Sequence, residues 1–484
     1  MVPRRCFPST GAPRAAPCGR ISSLSFPPER RRDTRGNGPS RTWVLWKPWF
    51  AASPRPVLSR WNRSRKGRMN EVLKALLEEL NIRDLSAYFQ PIIHLHTARV
   101  LGYEALLRPA GYDGTMLAPG ILFEQADLYG CLPELEREAR TTALREFARS
   151  RKEQTAGQLL FLNVSAPLLN VGVLDAGHIR EAVQSYEVEP EAVAIEISES
   201  SVQETDQLVE FSRMARKSGF MISLDGYGTD ESHLERIARI RPEIIKIDRS
   251  IIQGVCTDEI KQYALESVVH LARRVGAVSL AFGIENHEDL VACARAGVEF
   301  GQGFLLGRPA PTVDRAIERA EKTLKPLQEK LASTLASDLD RELQHEASLQ
   351  REFGRVLDKL ARAEPEEWEA ILRAWKGPAA RVDSLFITSP AGEQLTNTIA
   401  LGRGGKAIVN PLLYAATGPG DDHGSREYVY ALRLRGDGDL HLSSPHTSIA
   451  TGQLCRTYSQ KITGPEGARG ILCVSATLSS DVCQ

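Results

Sequence analysis

Cysteine is scarce in this chain and carries no pairing pattern. The eight residues, at positions 6, 18, 131, 256, 293, 455, 473 and 483, include no Cys-x-x-Cys pair and have no histidines at zinc-ligand spacing. That argues against a structural zinc module and fits a reducing, intracellular setting. Long apolar runs are missing too. None approaches the roughly 20 residues that a membrane-spanning helix needs; the longest, at 43–52, is broken by Lys47 and Pro48. Net charge is absent, with 61 basic against 61 acidic residues. A general electrostatic grip on a nucleic-acid polymer or an anionic membrane is therefore not expected.

What is present is ordinary for a globular chain, with 42% hydrophobic and 25% charged residues among 484. That length suggests two or three domains at roughly 100–200 residues each. The charge is unevenly placed. Residues 1–68 hold 16 of the basic residues and only two acidic ones, Glu29 and Asp33. Rich also in Pro, Ser and Gly, this stretch cannot bury a core and reads as a disordered basic tail. An organellar transit peptide or a translated upstream region would look the same. Met69 opens an amphipathic helical pattern, where the folded protein is expected to begin.

From residue 87 to about 311, short β-like runs alternate with helical patterns. The runs are 159–164, 192–197, 221–224, 244–247 and 278–282; the helices include 206–218, 257–275 and 287–296. This alternation predicts an α/β fold of the (β/α)-barrel type, which puts its chemistry at the C-terminal ends of the strands. Polar residues sit there in order: Glu104, Asn163, Glu196 and Asp225, then Lys246 and Asp248. Four oxygen donors from Glu104, Asn163, Glu196 and Asp225 suit a hard cation such as Mg²⁺ or Mn²⁺.

These residues also carry a family resemblance. Glu104-Ala-Leu-Leu-Arg108 resembles the signature for which EAL domains are named. It is accompanied by Phe89-Gln90-Pro91-Ile92, Asn163-Val-Ser, Glu196-Ile-Ser-Glu199, Lys246-Ile-Asp248 and Gln302-Gly303-Phe-Leu-Leu-Gly307-Arg308-Pro309. The resemblance implies an EAL-type (β/α)8-like TIM barrel that hydrolyses cyclic di-GMP to the linear dinucleotide with two divalent metals. It implies that Glu104, Asn163, Glu196 and Asp225 hold the first metal and that Lys246 holds the nucleophilic water. Gln90, Arg108 and Asp248 would contact the dinucleotide. Gln302 would be a further active-site residue, and Glu285 would anchor the loop after Asp225.

Two positions depart from the family pattern. The second of two successive aspartates is Gly226, and the first glutamate of Ala-Glu-Gly-Val-Glu is Phe282. Both are implied ligands of the second metal, so the expectation is one Mg²⁺ or Mn²⁺ site retained and one lost. Asp230 or Glu231 offers an alternative carboxylate. Losing one catalytic electrostatic element typically costs about 10²–10³ in rate. The reading is thus a cyclic di-GMP binder with at most weak hydrolysis. The alternatives are an active phosphodiesterase and a scaffold that no longer binds nucleotide.

Beyond the barrel, 312–375 reads as a charged connector of two or three helices, with Pro326 expected to break or kink it. Leucines at 327, 331, 335, 339 and 343 also admit a homodimer seam. Strands are expected at 382–388, 428–434 and 470–476. Ser444, Thr451, Gly452 and Arg456-Thr-Tyr-Ser459 resemble the PAS/Cache-like sensor domain that follows EAL domains in the YkuI family. That resemblance implies a small α+β domain with a five-stranded sheet, which either holds a small ligand in a pocket or serves as a structural or dimerising module without one. The expected limits are 1–68 for the tail, 69–315 for the EAL barrel, 316–378 for the connector and 379–484 for the sensor, in a cytoplasmic bacterial signalling protein.

Overall fold

The barrel runs are apolar and nearly continuous because each strand is covered on both faces. In the computed structural model eight strands close on themselves in the order β1 to β8. They are β1 Ile82–His94, β2 Val100–Gly111, β3 Leu159–Val164, β4 Val193–Ser198, β5 Met221–Tyr227, β6 Ile244–Ile247, β7 Val278–Phe282 and β8 Phe300–Gln302. Helix α1 Lys66–Glu79 precedes them; α2 Pro119–Leu128 and α3 Leu132–Arg149 follow β2. Then come α4 Ala176–Ser185, α5 Thr205–Lys217, α6 Leu234–Ile240, the single turn α7 Arg249–Ile252, α8 Glu259–Val275 and α9 His287–Ala296. The structure describes residues 66–150, 157–165, 168, 176–198, 205–228, 234–375, 382–401, 415–435, 438–467 and 469–477, with the backbone alone at 66–70 and 466. The tail at 1–65 and the loop carrying Asp230 and Glu231 lie outside the described residues, as does Glu199.

Strands β2 to β8 run parallel. Strand β1 runs antiparallel to both its neighbours, β2 and β8. One apolar layer closes the barrel from within: Ile92, Phe161, Ala194, Ile244 and Leu280, all but fully buried. Each stands two residues along its strand from a site position: Gln90, Asn163, Glu196, Lys246 and Phe282. Since side chains alternate, a two-residue step stays on the inner face and rises about 6–7 Å. The site therefore rests directly on an apolar floor.

After β8 the chain enters one helix of 48 residues, α10 Val313–Leu360, with Pro326 inside it. The expected break at Pro326 does not occur. Proline removes one backbone hydrogen bond, but Leu324 and Leu331 on either side are buried against the barrel, and that packing keeps the helix continuous. The far end buries Leu349, Phe353, Val356 and Leu360 against a second core. Leu339 and Leu343 between the two ends are exposed. A short helix, α11 Trp368–Arg373, completes the connector.

The second core belongs to an antiparallel sheet of β9 Val382–Thr388, β10 Ile399–Ala400, β11 His441–Leu442, β12 His446–Thr447, β13 Leu454–Thr463 and β14 Arg469–Thr477. Its path is β10-β9-β14-β13-β11, with β12 paired to β13. Leu385, Ile387, Tyr458, Leu472 and Val474 face α10; Phe386, Ile471 and Cys473 face a helix, α12 Glu427–Arg433. That helix corrects the strand expected at 428–434. Tyr428, Tyr430 and Leu432 alternate as in a strand, but the buried residues are Tyr428, Val429 and Leu432, a helical face. No described helix is long and apolar enough to cross a membrane.

Candidate active site

Register explains why residues distant in sequence meet. Gln90 pairs with Glu104, Asn163 with Glu196, Ser198 with Asp225, and Phe282 with Gln302. Lys246 extends from β6 into the centre of this ring and is buried. Its ammonium lies 2.9 Å from Glu104 Oε2, 2.8 Å from Glu196 Oε1 and 3.6 Å from Asp225 Oδ1. It is also 4.8 Å from the centroid of the Phe282 ring, within cation–π range.

Glu104 is the most heavily supported carboxylate. It accepts from Lys246 Nζ, from Gln302 Nε2 at 2.8 Å and from Asn163 Nδ2 at 3.0 Å. Burial pushes its pKa up, but Lys246 and these donors outweigh that and hold it below the usual carboxylate value. Glu196 is different. Its Oε1 pairs with the Lys246 ammonium, and its Oε2 is buried without a hydrogen-bond partner. Burial raises its pKa well above the usual value against the pull of Lys246, with Glu104 and Asp225 adding to the rise. Asp225 is raised as well, first by burial. Burial opposes the charge on Lys246, but the three carboxylates keep it an ammonium.

The amides form a second tier. Gln302 Nε2 also donates to Gln90 Oε1 at 3.2 Å, and Gln90 Nε2 donates to the carbonyl of Gly307 at 3.0 Å. Asp248 caps α7, accepting from Ser250 N at 2.8 Å. Arg108, four residues beyond Glu104 on β2, donates to its neighbour's carbonyl and lies 5.9 Å from the Tyr88 ring centroid. Glu285 is exposed, beyond the end of β7. The structure thus gathers Glu104, Asn163, Glu196, Asp225, Lys246, Gln302 and Gln90 into one cluster. Arg108 and Asp248 flank it within electrostatic reach of Glu104 and Asp225 respectively, and Glu285 stands apart. Sequence reading missed the stacking of Phe282 on Lys246 and the Gln90–Gln302 bond, because neither has a local signal.

Among the described residues, no three His, Cys, Asp or Glu side chains are spaced to hold a metal ion; Lys246 stands between the carboxylates instead. The donor set still fits a hard cation. It is made of oxygens, and the unpaired Oε2 of Glu196 is buried within it. Asn163 would turn its amide to present Oδ1. At Gly226 the backbone is left-handed, with φ 79°, and a side chain there would meet open space.

The EAL domain family model matches residues 73–309. Residues 73–309 form an EAL domain. Among relatives, the EAL-domain containing protein YkuI of Bacillus subtilis is 30% identical over 237 residues, 48% of this chain and 56% of that protein. The probable cyclic di-GMP phosphodiesterase PdeA of Escherichia coli is 26% identical over 251 residues, 50% of this chain and 33% of that protein. The chain therefore matches about half or less of these relatives' length. A crystal structure of B. subtilis YkuI, with an EAL domain, in complex with substrate c-di-GMP and calcium, superposes with a TM-score of 0.65 at 23% identity. It covers 84% of this chain and 99% of YkuI, so the shared fold continues past the EAL domain.

Proposed function

We propose that this EAL domain binds cyclic di-GMP with a single divalent cation, Mg²⁺ or Mn²⁺, and hydrolyses it weakly at most. The observation that carries this reading is Phe282 against Lys246. The ring offers no oxygen, and it occupies the end of β7 where the family pattern has a carboxylate. Glu104, Asn163, Glu196 and Asp225 would hold the ion, which when bound would polarise a phosphoryl oxygen. Lys246 would keep an ammonium beside the reacting phosphate, and Arg108, farther along β2 from Glu104, suits a phosphate contact.

The intact first set of ligands favours one other reading, an active phosphodiesterase yielding the linear dinucleotide. Calorimetry with cyclic di-GMP, with and without Ca²⁺ or Mg²⁺, run beside a hydrolysis assay, separates the two. Heat without product supports the binder, rapid product with Mg²⁺ or Mn²⁺ overturns it in favour of the enzyme, and no heat points to a scaffold.

We further propose the limits 69–315, 316–378 and 379–484 for barrel, connector and sensor, the last a PAS/Cache-like module for a small ligand. The five-strand path of its sheet, with β12 as a short addition, supports this assignment. Free cysteines at 131, 256, 293, 455 and 473 agree with a cytoplasmic location.

A further inference from the structure

Gln90 is buried, 4% exposed, and both ends of its amide are engaged. One end accepts from Gln302, which also holds Glu104. The other donates to the carbonyl of Gly307, 217 residues away in the chain. The residue before it, Phe89, exchanges two backbone hydrogen bonds with Ala310, at 2.7 and 3.0 Å. Thr312, two residues later, caps α10 through Arg315 N. The root of α10 is thus tied to the strand that carries Gln90 at two adjacent positions. From that root the helix contributes Val313 and Ala316 to one barrel core and Ala320, Leu324 and Leu331 to the other. Buried Asp338 pairs it with Arg295 of α9. It then continues unbroken to Leu349, Phe353, Val356 and Leu360 in the core of the sheet.

We propose that Gln90 is a positioning residue. Through Gln302 it sets the carboxylate of Glu104; through Gly307 it joins that carboxylate to the root of α10, so that cation occupancy and the seating of this helix are coupled. The physical reason is that none of these partners can be released cheaply. Each amide is shut away from water, so moving Glu104 toward a cation obliges Gln302, Gln90 and the 307–312 turn to follow or to leave a buried polar group unpaired. The proposal rests on the reading of the barrel mouth as a cation and nucleotide site.

The test uses the full chain and two variants, Gln90→Leu and Gln90→Glu, followed by Mn²⁺ calorimetry and hydrogen exchange. In the native chain, Mn²⁺ is expected to slow exchange over 307–331. Gln90→Leu removes both bonds and should weaken Mn²⁺ binding by about 10–100-fold, as loss of a metal ligand's supporting partner does. It should also abolish the slowing at α10. Gln90→Glu, buried against the Gly307 carbonyl and close to Glu104, would hold a proton; its O–H donates to Gly307 and its other oxygen accepts from Gln302, so Mn²⁺ affinity and the slowing at α10 should both stay near native. If Gln90→Leu does not fold, the similar-sized Gln90→Met, which also lacks both bonds, takes its place. Native-like Mn²⁺ affinity or native-like slowing at α10 in the Leu or Met variant overturns the proposal. If the native chain binds cyclic di-GMP but Mn²⁺ leaves α10 unchanged, the coupling falls and the nucleotide reading stands; if it binds neither, both fall.

Discussion

The ammonium of Lys246 is held between the face of Phe282 and three carboxylates. One side of this lysine is thus apolar where the family pattern has an acid. The double variant Gly226→Asp, Phe282→Glu replaces that apolar side with two oxygen donors. Position 226 has room for a side chain, and aspartate tolerates its left-handed backbone better than most residues, at a cost of roughly 1–2 kcal/mol. The expected outcome is a rise in Mn²⁺ stoichiometry from one to two per chain, with hydrolysis increasing about 10²-fold or more. Unchanged stoichiometry and rate would show that the missing carboxylates do not limit turnover.

Removing the lysine should unbalance the cluster. Lys246→Met leaves buried carboxylates facing one another, and breaking a buried ion set typically costs about 3–5 kcal/mol. Melting in a chelator should drop well below the native value, and Mn²⁺ should raise it by more than it raises the native chain. A variant that melts like the native protein in chelator would mean that Lys246 does not compensate these charges.

The sheet should be sensitive to acid through His423. Its Nε2 lies 2.8 Å from Gln394 Oε1, and its Nδ1 lies 2.7 Å from the Tyr428 hydroxyl. The Gln394 amide nitrogen donates to Thr396 O, Thr398 Oγ1 and Thr417 O, so its oxygen must accept; Nε2 carries the proton and the tyrosine donates to Nδ1. Burial, with Arg426 nearby, lowers the histidine's pKa. Because the folded value lies below the unfolded one, near 6.5, the unfolded chain takes up the proton first. The contribution of His423 is present above that value and lost as pH falls below it. Melting of the C-terminal sheet should move down between pH 7.5 and 5.5. His423→Gln should be less stable at pH 7.5 but flatter across the same range; an equal slope in both proteins would exclude His423 as the source.

Helix α10 offers a packing contrast. Leu331 is buried at 4% exposure, whereas Leu339 is 56% exposed. Leu331→Ala should cost about 2–5 kcal/mol, and Leu339→Ala should stay within about 0.5 kcal/mol in denaturant melts. Equilibrium sedimentation of Leu339→Ala also tests the dimer seam. A shift toward monomer would place the exposed leucines in an interface between copies.

Much of the barrel was legible because its strands are apolar runs ending in one polar residue, with the floor residue two positions earlier. Phe161 before Asn163 and Ile244 before Lys246 make that pattern visible without coordinates. What could not be read depends on register or on competition between local and tertiary terms. Residues 427–433 are too short for their alternation to exclude a helix. Pro326 obeys the burial of Leu324 and Leu331 rather than its own preference. The Gln90–Gln302 bond joins residues 212 apart, and the Phe282–Lys246 stack exists only once β6 and β7 are aligned.

Because α10 donates side chains to two cores, the border of the EAL segment at residue 309 is a poor place to cut or recombine this gene. A fragment ending there would leave Ala316, Ala320, Leu324 and Leu331 behind and expose the barrel wall they cover. A fragment beginning at 379 would lack Phe353 and Leu360 from its own interior. The exchangeable joint lies instead within residues 339–348, where the leucines at 339 and 343 face outward. Shuffling of sheet and barrel between relatives is workable there only by whole turns of helix.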